Sequence, residues 1–459
     1  MSKSKKTLSL FAITMINIIA VDSIRGLPIS AQYGFSLVFY YLIGGLFFLI
    51  PSALISAELG TGWPETGGLY VWIKEAFGKK VAASIIWLNW VYNLTWYPTI
   101  MAVIAGILAY LFNPDLASNK YYMITVILSL FWISTYINCY GMRISSWIST
   151  TGAIVGTLFP MLFIIILSSY YWYQGKPLAI TMSWDTFFPS GQNLDRLGYF
   201  SCILFGLLGL EMSATHAADM IDPKRDYSRS LFFSVVIILS STILSSLAIA
   251  MVVPHKDLSL VVGLLQAFTE YFTIFNIPYF TYIIAICIII GALSGVSAWI
   301  IGPTKGIMVA SKDNSLPKFL TKQNEYDVPM NALMTQGVIV TILSFFFLFM
   351  PSVNASFIFL TIITAQLAMI VYITLFAAGI VLHHKKRHVK RAFKIPGGNF
   401  GIWITGCSGI GISSLAFAMG FIPPKETLIT NIFLYEALLV GVMILIYFLP
   451  LLFSKISSK

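Results

Sequence analysis

The stretch Asp22-Ser23-Ile24-Arg25-Gly26-Leu27-Pro28 interrupts an apolar segment that runs from Leu8 to about Ser30. A second stretch, Gly206-Leu207-Leu208-Gly209-Leu210-Glu211, interrupts the apolar segment between Arg196 and His216. Backbone groups that a break frees inside lipid must find partners, so broken helices persist mainly where they line a cavity. Two such segments, one in each half of a chain, are typical of the substrate site of a transporter.

Composition places the chain in a membrane. Of its 459 residues, 58% are hydrophobic and 10% are charged, with a mean hydropathy of +0.85, whereas soluble domains carry roughly 25% charged residues. Lys3, Lys5 and Lys6 lead into an apolar run of full spanning length that lacks an obvious small-residue cleavage site. This start predicts a first membrane helix and not a cleaved signal peptide.

A spanning helix needs about 20 mostly apolar residues. That length predicts an all-α membrane protein with a single transmembrane domain over residues 1–459. Its twelve spans are expected at about 8–32, 36–59, 82–112, 121–141, 146–173, 196–217, 229–254, 279–302, 331–350, 355–382, 400–422 and 430–453.

The two breaks fall in the first and sixth spans, which predicts a repeat unit of five helices. Because five is odd, spans one to five (about 8–173) and six to ten (about 196–382) would have opposite orientations in the membrane. This is an inverted repeat with the substrate site at its interface. Spans eleven and twelve (about 400–453) stand outside it.

Basic residues are distributed unequally between the two sides of the predicted membrane. With a cytoplasmic N-terminus, the opposite side receives only Lys120, Lys176, Arg196, Lys256 and Lys425. The asymmetry predicts that both termini are cytoplasmic, and it accounts for the net charge of +10 without a nucleic-acid partner. The basic run from His383 to Lys394 is either a determinant of this topology or a site for anionic membrane lipid.

The sequence lacks the patterns typical of enzymes and cofactor proteins. Nucleophile–base pairs, metal-ligand spacing and phosphate-binding glycine loops are absent. The four cysteines fall in or beside apolar segments, and none pairs by spacing; they are Cys139, Cys202, Cys287 and Cys407. We therefore expect no catalytic residue, no cofactor and no metal.

Glu211 lies in the apolar context Leu-Gly-Leu-Glu-Met-Ser. A carboxylate at the centre of a membrane helix costs on the order of 2.5–3.5 kcal/mol by insertion scales, so it must face a cavity, hold a proton or pair. One interpretation is a gate or a proton-linked acid beside the substrate. The other is a carboxyl that bonds backbone amides freed at the break.

Asp22 and Arg25 lie three residues apart, a spacing at which two side chains can face each other on a helix. One interpretation is a self-neutralising pair. The other is that Arg25 binds a substrate carboxylate or that Asp22 binds an amine. Gly26 and Pro28 disfavour a continuous helix here, and amides at the start of the next half-helix attract an anionic group.

Two further stretches suggest structure on the cytoplasmic face. Residues 60–80 combine several glycines with an aromatic turn, which predicts a short interfacial helix, and residues 303–328 have a similar pattern. Glu58 is expected at the cytoplasmic mouth, where an acid is unremarkable, and Glu436 has no predicted role.

Four segments resemble the amino acid–polyamine–organocation superfamily, and within it the bacterial glutamate/γ-aminobutyrate antiporter family. They are residues 34–39, residues 209–216 with their continuation to 227, residues 297–303 and residues 393–398. The resemblance implies a five-plus-five inverted repeat and exchange of amino acids or their decarboxylated amines. It also implies that Glu211 is the acid after the sixth-helix break, that Phe205 lies over the substrate, and that Trp299 and Tyr372 are the family's aromatics of helices eight and ten.

Three differences from members of the superfamily bear on function. Arg25, Gly26 and Leu27 stand where glutamate-exchanging members carry tyrosines, which puts glutamate/γ-aminobutyrate specificity in doubt. The fifth span has no lysine of the kind that some proton-coupled members use, which favours exchange over proton symport. The loop 113–120 lacks the cysteine that links animal relatives to a glycoprotein, so no disulfide-linked subunit is expected.

These observations predict an amino acid antiporter of a bacterial inner membrane that works by alternating access. The alternatives are a proton- or sodium-coupled amino acid uptake permease and, from another class, a membrane-embedded amino acid sensor. Glu211 is the predicted gating or proton-linked residue. The predicted substrate-binding residues are Asp22, Ser23, Ile24, Arg25, Gly26, Phe205, Gly206, Gly209, Trp299 and Tyr372.

Overall fold

The structure is a computed structural model that describes residues 9–63, 67–140, 152, 154–189, 197–211, 223–429 and 431–456. Within these ranges every regular element is helical. The α-helices are α1 (Leu10–Val21), α2 (Leu27–Ala31), α3 (Leu37–Gly44), α4 (Ile50–Gly62), α5 (Leu69–Phe77), α6 (Lys79–Phe112), α7 (Lys120–Asn138), α8 (Phe159–Tyr173), α9 (Trp184–Phe187), α10 (Tyr199–Phe205), α11 (Pro223–Val252), α12 (Gly263–Ile274), α13 (Phe280–Lys312), α14 (Met330–Ser344), α15 (Phe346–Phe349), α16 (Val353–Lys385), α17 (Gly398–Met419) and α18 (Ile432–Ile456).

Ten helical stretches in the described residues are long and apolar enough to cross a membrane. They correspond to every predicted span except the sixth and the twelfth. α10 is the described beginning of the sixth span, and α18 contributes a shorter apolar stretch, Ile432–Phe448, to the twelfth. The all-helical membrane fold is therefore confirmed, while the total of twelve helices and the inverted repeat remain predictions.

α6 and α16 form the centre of the bundle. In the most apolar part of each helix, 83% of the residues of α16 and 78% of those of α6 are buried, whereas only 39% are buried in α7 and α17. α6 and α16 also pack against each other. The less buried apolar faces of α7 and α17 are therefore expected to contact lipid. The two central helices lie where they can contact the residues at the breaks.

The first break separates α1 from α2. Ser23 has an extended backbone (φ −138°, ψ 125°), and a 3₁₀ turn over Ile24–Gly26 leads into α2. Pro28 lies in the first turn of α2, where its missing N–H is tolerated because first-turn amides have no partner within the helix. The predicted break within 22–28 is confirmed, and the α-helix resumes earlier than expected, at Leu27.

The second break follows α10 and lies against the first. The chain turns at Gly206 and Leu207, and helical structure resumes at Leu210. Gly209 has a φ of +123°, which L side chains rarely adopt. A Cβ on Gly209 would lie only 2.7 Å from the carbonyl oxygen of Ala20. The two broken helices therefore touch backbone to backbone at the places that the sequence indicates.

On the face predicted to be cytoplasmic, a short helix, α5, lies within 60–80 as expected, while its place at the membrane interface remains a prediction. It is tied to the residue that follows α13: Lys74 Nζ donates to Asp313 Oδ2 at 2.6 Å, Lys79 Nζ to Oδ1 at 2.9 Å, and the Tyr70 hydroxyl to Oδ2 at 2.9 Å. These hydrogen bonds, that from Lys74 first, hold the pKa of Asp313 well below its ordinary range. The carboxylate therefore stays ionised and joins α5 and α6 to α13.

The expectation of a second interfacial helix within 303–328 is wrong. Residues 303–312 continue α13, and only a 3₁₀ turn over Lys318–Thr321 follows. Pro303 lies inside α13, and a proline is tolerated within a membrane helix because neighbouring groups satisfy the backbone group that it frees. The predicted end of the eighth span at 302 is therefore too early.

The expectation that Glu58 is an unremarkable acid at the mouth is also wrong. Glu58 is 2% exposed, and its carboxylate accepts hydrogen bonds from Arg391 Nη1, from the Ile395 N–H at 2.9 Å and from His383 Nδ1 at 2.7 Å. The Arg391 guanidinium also lies 5.2 Å from the ring centre of Trp63. Glu58 of α4 is thus bonded by His383 in the last turn of α16 and by Arg391 and Ile395 in the loop that follows it.

Gly209→Ala should lower the thermal unfolding midpoint of the purified protein. A φ of +123° is a conformation that costs an alanine roughly 1–3 kcal/mol, and the methyl group would push the Ala20 carbonyl away. Gly411→Ala is the control, because it lies inside α17 with open space around its Cβ position. Equal midpoints for the two variants would contradict the close contact between the breaks.

Glu58→Gln should destabilise the protein by about 3–5 kcal/mol, because it leaves the Arg391 guanidinium buried without its carboxylate. Glu270→Gln removes an exposed acid from α12 and should change the unfolding midpoint little. If thermal unfolding in detergent fails to separate the two variants, Glu58 is not the anchor of the loop that follows α16.

Candidate functional site

Arg25 places a buried cation at the first break. The residue is 4% exposed, and its Nη1 donates to Thr361 Oγ1 of α16 at 3.0 Å and to Thr99 Oγ1 of α6 at 3.2 Å. Its guanidinium carbon lies 5.1 Å from the ring centre of Phe205 and 5.9 Å from that of Phe357. Three helices, α6, α10 and α16, therefore hold one guanidinium group beside the breaks.

The charge of Arg25 is not balanced by the neighbours that the structure describes. No carboxylate of the described residues pairs with Arg25, and its Nε has no hydrogen-bond partner among them. A guanidinium group stays protonated in proteins, and a charge at a helix centre costs on the order of 2.5–3.5 kcal/mol. The two cation–π contacts and the two threonine hydroxyls offset that cost without supplying a negative charge, so the arrangement leaves the guanidinium able to bind an additional anionic group.

The backbone beside Arg25 leaves space for such a group. A Cβ on Gly26 would meet no atom within 4 Å, and the ordinary φ of −81° shows that the backbone does not require glycine there. Ser23 is half-buried and its side chain makes no capping hydrogen bond, whereas Ile24 is buried. Open space therefore adjoins the 3₁₀ turn that carries Arg25.

Asp22 points to a different helix from Arg25. Its carboxyl group is 7% exposed and contacts α11, with Ser241 Oγ at 3.0 Å from Oδ2 and Thr242 Oγ1 at 3.2 Å from Oδ1. The interpretation of Asp22 and Arg25 as a self-neutralising pair is therefore wrong. The extended backbone at Ser23 replaces the helical turn that would have brought the two side chains to one face.

Tyr372 holds the second break in place. Its hydroxyl accepts a hydrogen bond from the Gly209 N–H at 3.1 Å and donates one to Glu211 Oε2. Tyr372 is 1% exposed, and its ring packs 5.2 Å from that of Phe48. One hydroxyl thus satisfies a backbone group freed by the break and connects it to the carboxyl of Glu211, which is 8% exposed.

The aromatic candidates have different surroundings. Phe205, at the end of α10 next to Gly206, faces the guanidinium of Arg25 and packs edge-on against Tyr92 at 6.4 Å. Trp299 lies within α13, where its ring is 6.4 Å from that of Trp96 and its carbonyl accepts a hydrogen bond from the Tyr97 hydroxyl at 2.8 Å. Phe205 therefore adjoins Arg25, whereas Trp299 contacts α6.

The sequence did not single out the side chains that surround the two charges of the first break. Thr99, Thr361 and Phe357 contact Arg25, and Ser241 and Thr242 contact Asp22. Each lies far along the chain from its partner, and hydroxyl groups are common in membrane helices. Only Thr99 could have been suspected from the sequence, because it follows a proline, Pro98, inside a long predicted span.

Known proteins similar to this chain are membrane transporters by name. It is 49% identical over 457 residues, 99% of this chain and 98% of the other, to an uncharacterized transporter of Legionella pneumophila. It is 28% identical over 462 residues, 99% of this chain and 92% of the other, to a glutamate/gamma-aminobutyrate antiporter of Lactococcus lactis. A probable agmatine/putrescine antiporter of the same species is 26% identical over 402 residues, 86% of this chain and 84% of its own length.

A family model described as amino acid permease matches residues 6–446. The match covers both breaks, the central helices and the loop that follows α16. The members of this family are transporters and not enzymes, in agreement with the lack of a catalytic pattern in the sequence. The chain therefore belongs to the amino acid permease family, within the amino acid–polyamine–organocation superfamily.

Proposed function

We propose that this chain is an amino acid antiporter of a bacterial inner membrane that works by alternating access. The names of two relatives, a glutamate/gamma-aminobutyrate antiporter and a probable agmatine/putrescine antiporter, support exchange. The unequal distribution of basic residues supports cytoplasmic termini. The proposal includes one transmembrane domain with a five-plus-five inverted repeat, in which the two broken helices meet at the substrate site.

The observation that carries the proposal is the unbalanced guanidinium of Arg25 where the broken helices meet. A substrate carboxylate at Arg25 would supply the missing negative charge and a partner for the free Nε. Phe205 would cover the substrate from the α10 side, and Ser23, Ile24 and Gly26 would border it along the first break. Gly206 and Gly209 would form the opposite edge, with Trp299 further out on α13.

Glu211 is proposed as the group that connects substrate occupancy to the gate. Its carboxyl is joined through Tyr372 to the backbone of Gly209, which in turn touches α1 at Ala20. A change in the charge or hydrogen bonding of Glu211 would therefore reach the contact between the breaks directly. Tyr372 acts as a positioning residue for Glu211 in this account.

Exchange in liposomes tests the proposal. Purified protein is reconstituted into vesicles preloaded with one amino acid or amine, and the uptake of a labelled one is followed across a broad panel. We expect uptake that depends on the internal substrate and survives when ion gradients are dissipated. Uptake that collapses without an ion gradient would favour the uptake permease instead, and no uptake of any panel member would contradict a transport function.

Arg25→Ala should weaken binding of substrates with a carboxylate about tenfold to a hundredfold, because a hydrogen bond to a charged group contributes roughly 1.5–3 kcal/mol. Binding of the corresponding decarboxylated amines should change less. The measurement is ligand-induced thermal stabilisation, with Arg229→Ala, an exposed residue of α11, as the control. Equal losses for amino acids and amines would mean that Arg25 has only a structural role.

Tyr372→Phe should reduce the exchange rate at least about tenfold, because Glu211 and the Gly209 N–H both lose a partner worth roughly 1–3 kcal/mol in stability. Tyr271→Phe is the matched control, since it removes a buried hydroxyl that bonds the Ala248 carbonyl at 2.7 Å. Both variants should lose stability, but only Tyr372→Phe should lose exchange per folded molecule. Equal exchange rates would exclude Tyr372 from the transport mechanism.

A further inference from the structure

Asp22 differs from Asp313 and Glu58, which are both paired with basic side chains. Asp313 is bonded to two lysines, at 2.6 and 2.9 Å, and Glu58 to Arg391. Asp22 is buried to 7% exposure, yet its side-chain partners in the described residues are two neutral hydroxyls. A buried carboxylate without a cation costs several kcal/mol even after relaxation. The surroundings of Asp22 therefore favour its neutral form.

Hydrogen-bond distances at Asp22 agree with that preference. Bonds from a hydroxyl to an ionised carboxylate are typically about 2.5–2.7 Å long, but the two contacts of Asp22 measure 3.0 and 3.2 Å. The same hydroxyls lie closer to helix carbonyls, Ser241 Oγ at 2.7 Å from Ile237 O and Thr242 Oγ1 at 2.5 Å from Ile238 O. Each hydroxyl has one proton, and the shorter distance indicates that it is given to the carbonyl.

With the hydroxyl protons directed to carbonyls, the carboxyl needs a proton of its own to bond α11. Four acceptor oxygens compete for the two hydroxyl protons: two carbonyls of α11 and the two carboxyl oxygens of Asp22. A third proton, carried by Asp22, allows the carboxyl to donate to one hydroxyl oxygen. We infer that Asp22 is a proton-carrying site that couples transport to a proton.

The location of Asp22 gives this proton a mechanical effect. α1 packs chiefly against α11. Two polar side chains of the described residues bond α11 from this side: Asp22, just after the end of α1, and Asn17, whose Nδ2 donates to Ser234 Oγ at 3.0 Å. Loss of the proton would leave a carboxylate facing hydroxyls that already serve carbonyls. The charged form therefore weakens the α1–α11 interface at the break, where the half-helix must move in alternating access.

The titratable and charged side chains nearest to Asp22 are hydrogen-bonded to residues other than Asp22. α11 has no ionisable residue between Arg229 and Val252. The Tyr41 hydroxyl of α3 bonds Ser30 Oγ at 2.8 Å, Arg25 bonds Thr99 and Thr361, and Glu211 at the second break bonds Tyr372. We therefore assign the transported proton to Asp22, while Glu211 keeps its proposed role at the gate. In one cycle the Asp22 carboxylate takes a proton from water on one side and returns it to water on the other.

This inference rests on the transport part of the proposed function, and it names the coupling ion. It revises the prediction that Asp22 contacts the substrate amine. It is compatible with exchange if the proton accompanies the substrate in one direction, and it favours the proton-coupled permease if net uptake is found.

The test compares wild type, Asp22→Asn and Asp115→Asn in liposomes. Asparagine at position 22 resembles the protonated acid in shape and hydrogen bonding, and Asp115 is an exposed acid that serves as the control. Two assays are run: counterflow at equal pH, and accumulation driven by a pH gradient. We expect wild type and Asp115→Asn to show both counterflow and accumulation. Asp22→Asn should keep counterflow but lose the response to the pH gradient. Its accumulation, divided by its counterflow rate, should fall to the value measured without a gradient.

The outcomes separate the two proposals. Absence of counterflow in wild type defeats the transport function. The inference is overturned, while transport stands, if wild type shows counterflow and Asp22→Asn still responds to the pH gradient. It is also overturned if wild-type accumulation responds to sodium and not to pH. If Asp22→Asn is inactive, infrared spectroscopy decides: wild type must show a protonated-carboxyl band that Asp22→Asn lacks, and identical spectra overturn the inference.

Discussion

The backbone contact between the two broken helices is the constraint on which the site depends. Gly209 reaches the carbonyl of Ala20 in a conformation that glycine adopts without strain, and its N–H is satisfied by the hydroxyl of Tyr372. Without that partner an amide freed within the lipid-spanning region would be costly. Phe205, the last residue of α10 before this contact, lies with its ring centre 5.1 Å from the guanidinium carbon of Arg25.

Buried charges in this chain divide into those that are paired within the protein and those that are not. Glu58 and Arg391 pair with each other and anchor a loop, which suits a permanent structural role. Among the described residues, Arg25 has no acid partner, and the side chain of Asp22 has only hydroxyl partners. A charge without a fixed partner can respond to a ligand or a proton, which is why Arg25 is proposed as a substrate-binding residue and Asp22 as the proton-carrying one.

Sequence alone predicted the membrane class, ten of the spans and the positions of both breaks, because apolar length and the placement of glycine, proline and charge are local signals. It failed where contacts between distant residues decide the outcome. The separation of Asp22 from Arg25 depends on one extended residue, Ser23. The contacts that bury Glu58 come from residues more than 300 positions away, at the end of α16 and in the loop that follows it. At Pro303 the error has the opposite sign, since the predicted eighth span ends just before this residue, whereas α13 continues through it to Lys312.

The most direct test is a cryo-electron-microscopy structure of the wild-type protein in lipid with the substrate that the exchange assay identifies. The account predicts a substrate between residues 22–26 and 206–209, with its carboxylate within hydrogen-bond distance of the Arg25 guanidinium. A substrate bound elsewhere, with Arg25 still bonded only to Thr99 and Thr361, would contradict it. So would continuous helices through both segments.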